Sequence, residues 1–336
     1  MKYNFIKKYL TIILLFLVSI QILSAQDSIP PFTKKITFLE PSPTYNKKRF
    51  ATALTGQLGL CTGALVGLNY AWYVGYPRSR FHFFNDMGEW QQQDKIGHML
   101  GGYFQSSWSY NVYKWSGVKH NRAAWAGALT GWGFQTTIEI LDGFSQKWGA
   151  STGDVLFNSL GAGWFLWQEM LWKEQRILLK ISTHQVNYPK GQLAERAKEL
   201  YGSQIYETFL KDYNSMTFWM SVNLASFNKK QKHARWLNLA VGYGAGGMYG
   251  GFDNTWKDSQ GNIINRNDVQ RYRRFVISID ADFTKIPTRT RTGRVLLGLL
   301  NTIKLPAPAL EFNTLGQVVF HPLYFLNWEV PLYIKK

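Results

Sequence analysis

The stretch Asp94-Lys95-Ile96-Gly97-His98-Met99-Leu100-Gly101-Gly102-Tyr103-Phe104-Gln105 sets three ionisable groups at the head of an apolar, aromatic segment. If it is helical, Asp94 and His98 lie four apart on one face, and Gly101 and Gln105 extend that stripe. Two further stretches have the same character. One is Glu139-Ile140-Leu141-Asp142-Gly143; the other runs from Ser151-Thr152-Gly153-Asp154 to Asn158. An unpartnered charge in such surroundings costs several kcal/mol. The pattern therefore predicts a polar centre inside an apolar helical bundle, in which Asp94, Lys95, His98, Glu139, Asp142, Asp154 and Asn158 converge.

Taken singly, several of these residues have plainer explanations. Asp94 fits a helix N-cap after three glutamines, and His98 fits a hydrogen-bonded core histidine. Ser151-x-x-Asp154 has the form of a capping box. Glu139 and Asp142 are harder to place. They sit at the end of a helix that Gly143 closes, where the helix dipole disfavours carboxylates by up to about 1 kcal/mol. A cation is expected beside them: Lys95 first, His98 second, a metal ion third. Asn158, between Phe157 and Leu160, has no capping role to explain it.

Around this centre the chain divides in order. Residues 1–25 read as a signal peptide: Lys2, Lys7 and Lys8, an apolar run from Leu10 to Ile22, then Ser24-Ala25 for cleavage. An uncleaved anchor is the alternative, and the run is short for the roughly 20 residues that span a bilayer. Residues 26–46 read as an extended segment and 47–180 as an aromatic- and glycine-rich bundle of four helices. The first of these is charge-free from Phe50 to Pro77, and Gly59, Gly63 and Gly67 give it a ridge for close helix packing. Ala123, Gly127 and Gly131 repeat the device. The other helices are expected at about 95–118, 122–141 and 152–172, embedded in or lying on a membrane at most in part.

Residues 181–214 read as an amphipathic helical linker and 215–336 as an antiparallel β region. Period-two alternation marks strands around Phe218–Leu224, Leu237–Tyr243 and Phe275–Phe283, with a hairpin turn at Asn313-Thr314-Leu315-Gly316. About five strands are countable, against roughly 8 for an outer-membrane barrel, so a complete barrel is not expected. The fold class is α+β.

The formal net charge is +17, and ten of the 14 tryptophans fall between Trp72 and Trp172. On an exported chain these favour an anionic membrane surface or outer-membrane lipid as partner rather than nucleic acid. The expected location is periplasmic or outer-membrane-associated. The single cysteine, Cys61, lies far beyond the leader among small apolar residues, reads as a small core residue, and allows no disulfide within the chain.

The combination Asp94-Lys95-x-x-His98, Glu139-x-x-Asp142-Gly143 and Ser151-x-x-Asp154-x-x-x-Asn158-x-x-Gly161 resembles the YfiM-like family of exported bacterial proteins of unknown function, many of them predicted periplasmic lipoproteins. The opening and closing motifs are similar, more distantly, to those of VanZ-like membrane proteins. The resemblance covers about residues 90–172. It implies export and no established activity. Its lipid anchor is not carried over, because Cys61 is not placed to accept one.

Three functions fit. The first is a structural or interaction protein of the envelope, its polar cluster holding the helices in register. The second is a metal-assisted hydrolase acting on lipid or envelope material. There His98, Asp94, Glu139, Asp142 and Asp154 would be candidate ligands of a divalent metal, and His98, Asp94 or Glu139 the candidate catalytic groups. No H-E-x-x-H, G-x-S-x-G or Gly-rich phosphate loop supports it. The third is a lipid or small-ligand binding module, with a cleft lined by Trp108, Trp115, Trp132 and Trp164.

Overall fold

The computed structural model describes residues 39–334 apart from 74, 229, 231–233, 325, 327 and 328. The signal peptide and most of the 26–46 segment lie outside the described residues. The chain is α+β. Among the described residues four long helices come first: α1 (Lys47–Leu68), α2 (Gln93–Trp115), α3 (His120–Asp142) and α4 (Thr152–Trp172). After them come β1 (Ile177–Thr183), the short helices α5 (Gln192–Tyr201) and α6 (Ile205–Lys211), then β2 (Met216–Val222) and β3 (Leu237–Gly246). A small hairpin of β4 (Thr255–Lys257) and β5 (Ile263–Asn265) precedes β6 (Tyr272–Ala281) and α7 (Arg291–Leu300). The chain closes with β7 (Ala309–Asn313), β8 (Gln317–His321) and β9 (Val330–Ile334).

Helices α2, α3 and α4 pack closely because small residues let their backbones meet. A Cβ on Gly127 would fall 2.7 Å from the Ser106 carbonyl oxygen, and one on Gly161 would fall 2.0 Å from that of Met99. Helix α1 does not complete a four-helix bundle in the expected way. Asn46 caps it by accepting from the Arg49 amide at 3.0 Å. Phe50 stacks on Tyr113, and Arg49 lies over Trp115. Halfway along, Gln105 donates to the Cys61 Sγ, so Cys61 is half-buried rather than a core residue. Among the described residues nothing lies within 4 Å of where the Cβ atoms of the Gly59, Gly63 and Gly67 ridge would be. A small-residue ridge permits close packing but needs a facing helix, and α2 touches α1 on another side. Helix α1 is long and apolar enough to cross a membrane by length and composition.

The main sheet has seven strands in the order β1-β2-β3-β6-β7-β8-β9, every neighbouring pair antiparallel. The strand region thus begins at Ile177, before the expected boundary at 215, and holds more strands than alternation revealed. β1 (ILLKIST) begins with three apolar residues in a row and ends on two polar ones, so its period of two is masked. β9 carries Pro331, which lowers its strand signal. The helices pack on the sheet at β1 and β2, where Leu179, Met216 and Phe218 join Leu100, Tyr103, Ala128, Ala162 and Phe165 in one core.

Candidate functional site

Just before α2 the backbone does something the sequence gives no warning of. Trp90, Gln91 and Gln92 take φ values of 50°, 54° and 62°, three successive left-handed residues with no glycine among them. Such a conformation costs roughly 1–2 kcal/mol per residue. It is held from outside the turn: the Trp90 amide donates to the Gly251 carbonyl at 2.7 Å, Tyr243 donates to the Gln91 carbonyl, and Arg273 donates to Gln92 Oε1 at 2.6 Å. The turn aims the first residues of α2 into the gap between the end of α3 and the start of α4. Helix α2 starts at Gln93, with Gln92 in the capping position, so Asp94 is no N-cap.

Lys95 is fully buried, and its Nζ lies 2.7 Å from Asp86, 3.0 Å from Asp94 and 2.6 Å from Asp154. Glu139 and Asp142 were expected to hold Lys95, but they do not. Lys95 sits toward the α4 side of α2, within reach of the start of α4 and the 81–88 loop, while the end of α3 faces His98. His98 Nδ1 is 3.1 Å from Asn158 Oδ1 and 3.4 Å from Glu139 Oε1. Its Nε2 looks the other way, 3.9 Å from Asp94 and 3.7 Å from Asp154. Asp142 instead accepts from the Tyr73 hydroxyl at 2.7 Å. All seven residues of the sequence-derived cluster thus meet in one region, with their partners redistributed.

Ser151 does cap α4, accepting from the Asp154 amide at 3.1 Å. Its hydroxyl donates to Asp86 at 2.6 Å and its own amide donates to Glu139 Oε2 at 3.3 Å. The side chain of Asp154 is turned to Lys95, so the S-x-x-D pattern serves the cap and the centre together. The sequence reading missed Asp86, Glu89, Tyr73 and Tyr213. Tyr213, beyond α6, donates to Asp94 at 2.6 Å and links the centre to the start of β2. Asp86 carried a signal of its own, being an acid in the aromatic run that surrounds Phe81, Phe83 and Phe84. The tyrosines carried none.

Six carboxyl groups (Asp86, Glu89, Asp94, Glu139, Asp142 and Asp154) surround one lysine and one histidine, so the centre cannot hold them all ionised. Burial pushes Glu139 up to about 8, against help from His98. Burial likewise raises Asp154 to about 7, Glu89 to about 7 and Asp142 to about 6. Asp94 is also buried, but His98 and Lys95 pull its carboxyl below the ordinary range. Burial works against the His98 imidazolium, yet Asp94, Asp154 and Glu139 outweigh it and raise its pKa. The centre is thus a proton-sharing cluster with a surplus of carboxyl oxygen. Two buried polar atoms in it, Glu139 Oε1 and Asn158 Nδ2, have no hydrogen-bond partner among the described residues.

One corner has the shape of a cation site. Ligand atoms of Asp94, His98 and Asp154 all lie within 4.8 Å of one another. Glu139 and Asp142 contribute no atom to that group, although the sequence put them on an equal footing as ligands. The four tryptophans expected to line a cleft meet different neighbours. Trp164 donates to the Ile177 carbonyl, Trp132 to Ser159, Trp115 lies under Arg49 and Trp108 stacks on Phe104.

Residues 82–168 match the model of a family described as predicted periplasmic lipoproteins (DUF2279). No curated protein and no solved structure matches the chain. The matched stretch holds the whole charge centre except Tyr73 and Tyr213. It supports reading the chain as similar to exported cell-envelope proteins of unknown function.

Proposed function

We propose that the chain is a structural or interaction protein of the cell envelope, and that its charge centre is a lock joining three helices to the sheet. The observation that carries this reading is Lys95. Its ammonium is wholly buried and held by carboxylates from the 81–88 loop, α2 and α4, at 2.6 to 3.0 Å. A buried cation with that many partners orders the segments that supply them, and removing one side of such a cluster is costly. The match to predicted periplasmic lipoproteins supports the envelope as its location.

A second reading rests on the orientation of His98. One ring nitrogen faces Asp94 and Asp154 while the other faces Asn158 and Glu139. Metal-binding histidines are held in this manner, with the far nitrogen fixed by a carboxylate or amide. A divalent ion at Asp94, His98 and Asp154 would make the centre a metal-assisted hydrolase site, with Glu139 positioning His98. The test is metal analysis of the purified chain after dialysis against zinc or manganese, followed by melting with and without chelator. The lock predicts no stoichiometric metal and melts that ignore the chelator. One equivalent of metal, lost in His98→Ala, would replace the lock with the hydrolase.

A further inference from the structure

The seven-stranded sheet is inside out. On a sheet of a water-soluble protein the apolar residues of each strand face the core. Here β3 buries Asn238, Ala240 and Gly242 and exposes Leu237, Leu239 and Val241. β6 likewise buries Ser278 and Asp280, while Phe275, Ile277 and Ile279 are each nearly half exposed. Register joins these into one surface, because Leu239 lies beside Ile279, Val241 beside Ile277, and Phe275 beside Phe312 of β7. The opposite face carries buried charges around a small apolar cluster of Trp219, Ala240, Val276, Ala309 and Tyr324. Lys180 and Asp280 pair at 2.9 Å with both side chains fully buried, Lys304 donates to Ser278, and His321 meets Glu311 at 3.3 Å.

The outward face is the same face that α2, α3 and α4 cover at β1 and β2, where Leu179 and Phe218 enter the helical core. Beyond β2 the helices stop, and among the described residues the apolar face runs on about half exposed. We propose that this open face is seated in the acyl-chain region of one membrane leaflet. Three further features favour lipid over a second protein. The polarity is inverted as in membrane β structures, with lipid-facing apolar side chains alternating with an internal polar face. The exposed residues on β6 run from 275 to 279, about 14 Å at a strand's rise per residue, which is close to half of the roughly 30 Å hydrocarbon thickness. Finally, α7 has no buried residue and leaves Val295, Leu296 and Leu299 exposed, with Arg291 and Arg294 in the same helix. That is the composition of a helix lying in a lipid interface.

Because α1 could tether the chain to a bilayer by itself, the test must be local to the sheet. In a Cys61→Ser background, Ile277→Cys, Val241→Cys and Gln260→Cys are each spin-labelled. The full chain is reconstituted in vesicles of phosphatidylethanolamine and phosphatidylglycerol. Gln260, exposed at the tip of the β4–β5 hairpin, is the aqueous control. The proposal expects a polar nickel complex to reach labels at 277 and 241 about tenfold less often than the label at 260, with oxygen reaching them more often. Labels at 277 and 241 that are as open to nickel as the one at 260 would overturn it. So would a short 277–277 interspin distance without lipid immersion, which would assign the face to a second copy of the chain. Two separate positions on the face keep the outcome decisive if one labelled variant fails to fold.

Discussion

Replacing Lys95 by methionine tests the lock most directly. Methionine matches the length of the lysine stem, so the change removes the charge with little change in packing volume. What remains is Asp86, Asp94 and Asp154 clustered around the vacated Nζ position, which now lies 2.7, 3.0 and 2.6 Å from their oxygens. Breaking a buried ion pair by deleting one partner costs about 3–5 kcal/mol. The centre can soften that loss by taking up a proton, since burial already holds Asp154 at about 7. The lower end, about 3 kcal/mol, is therefore expected. For a chain of this size, at about 2.1 cal/mol/K of unfolding entropy per residue, that lowers the melting temperature by about 4–5 °C. The assay is thermal unfolding of wild type and Lys95→Met in the same detergent, with and without chelator. A Lys95→Met melt within about 1 °C of wild type, together with a wild type that loses stability on chelation, would refute the lock. The residues freed would be Asp86 and Asp154 rather than Glu139, so adding Asp154→Asn should recover part of the loss, whereas adding Glu139→Gln should not.

Three other expectations follow from single contacts. Gly161→Ala forces a Cβ to within 2.0 Å of the Met99 carbonyl oxygen and should cost about 1–3 kcal/mol or more. Gly59→Ala meets open space and should be neutral or gain up to about 1 kcal/mol from helix propensity; comparable melts for the two would contradict the packing of α2 against α4. Tyr213→Phe removes the donor to Asp94 and should cost about 1.5–3 kcal/mol, as for a hydrogen bond to a charged group, read from denaturant midpoints. His184 accepts from Arg274 at 3.2 Å, and burial followed by the Arg274 charge lowers its pKa to about 3. Its folded pKa lies below the unfolded one, so its contribution is complete above about pH 6.5 and is lost as pH falls toward 3, by at most about 1.4 kcal/mol per pH unit. An NMR titration of the His184 ring giving a pKa above 6 would show this wrong.

The helices were legible because their ends carry local chemistry. Thr152–Trp172 was readable from Ser151 before it, and the charges at Asp94, Lys95 and His98 were conspicuous against an apolar background. What the chain could not disclose was which partner each charge takes. Periodicity places Lys95 and His98 on α2, but the choice between the α3 and α4 sides depends on the left-handed turn at Trp90, Gln91 and Gln92. That turn is imposed by Gly251, Tyr243 and Arg273, more than 150 residues away. A tryptophan and two glutamines carry no local mark of a positive φ, whereas a glycine there would have given one.

The sheet was legible in its period and hidden in its sign. Alternation in Leu237–Tyr243 and in Phe275–Phe283 is plain, and by default the apolar set is taken to face inward. Nothing within a single strand says which side is wet. The sign becomes readable only when the other set is examined for its cost. Asn238, Ser278, Asp280, Glu311 and His321 share one face with Lys180, and each is buried. Such residues tolerate burial only as a mutually bonded group: Asp280 takes Lys180 on one oxygen and the Leu305 amide on the other, with Ser221 donating as well. A sheet that spends most of its interior on such a network keeps only a small apolar cluster there, of Trp219, Ala240, Val276, Ala309 and Tyr324. Most of its apolar side chains must find cover on the other, and among the described residues the helices supply it only as far as β2.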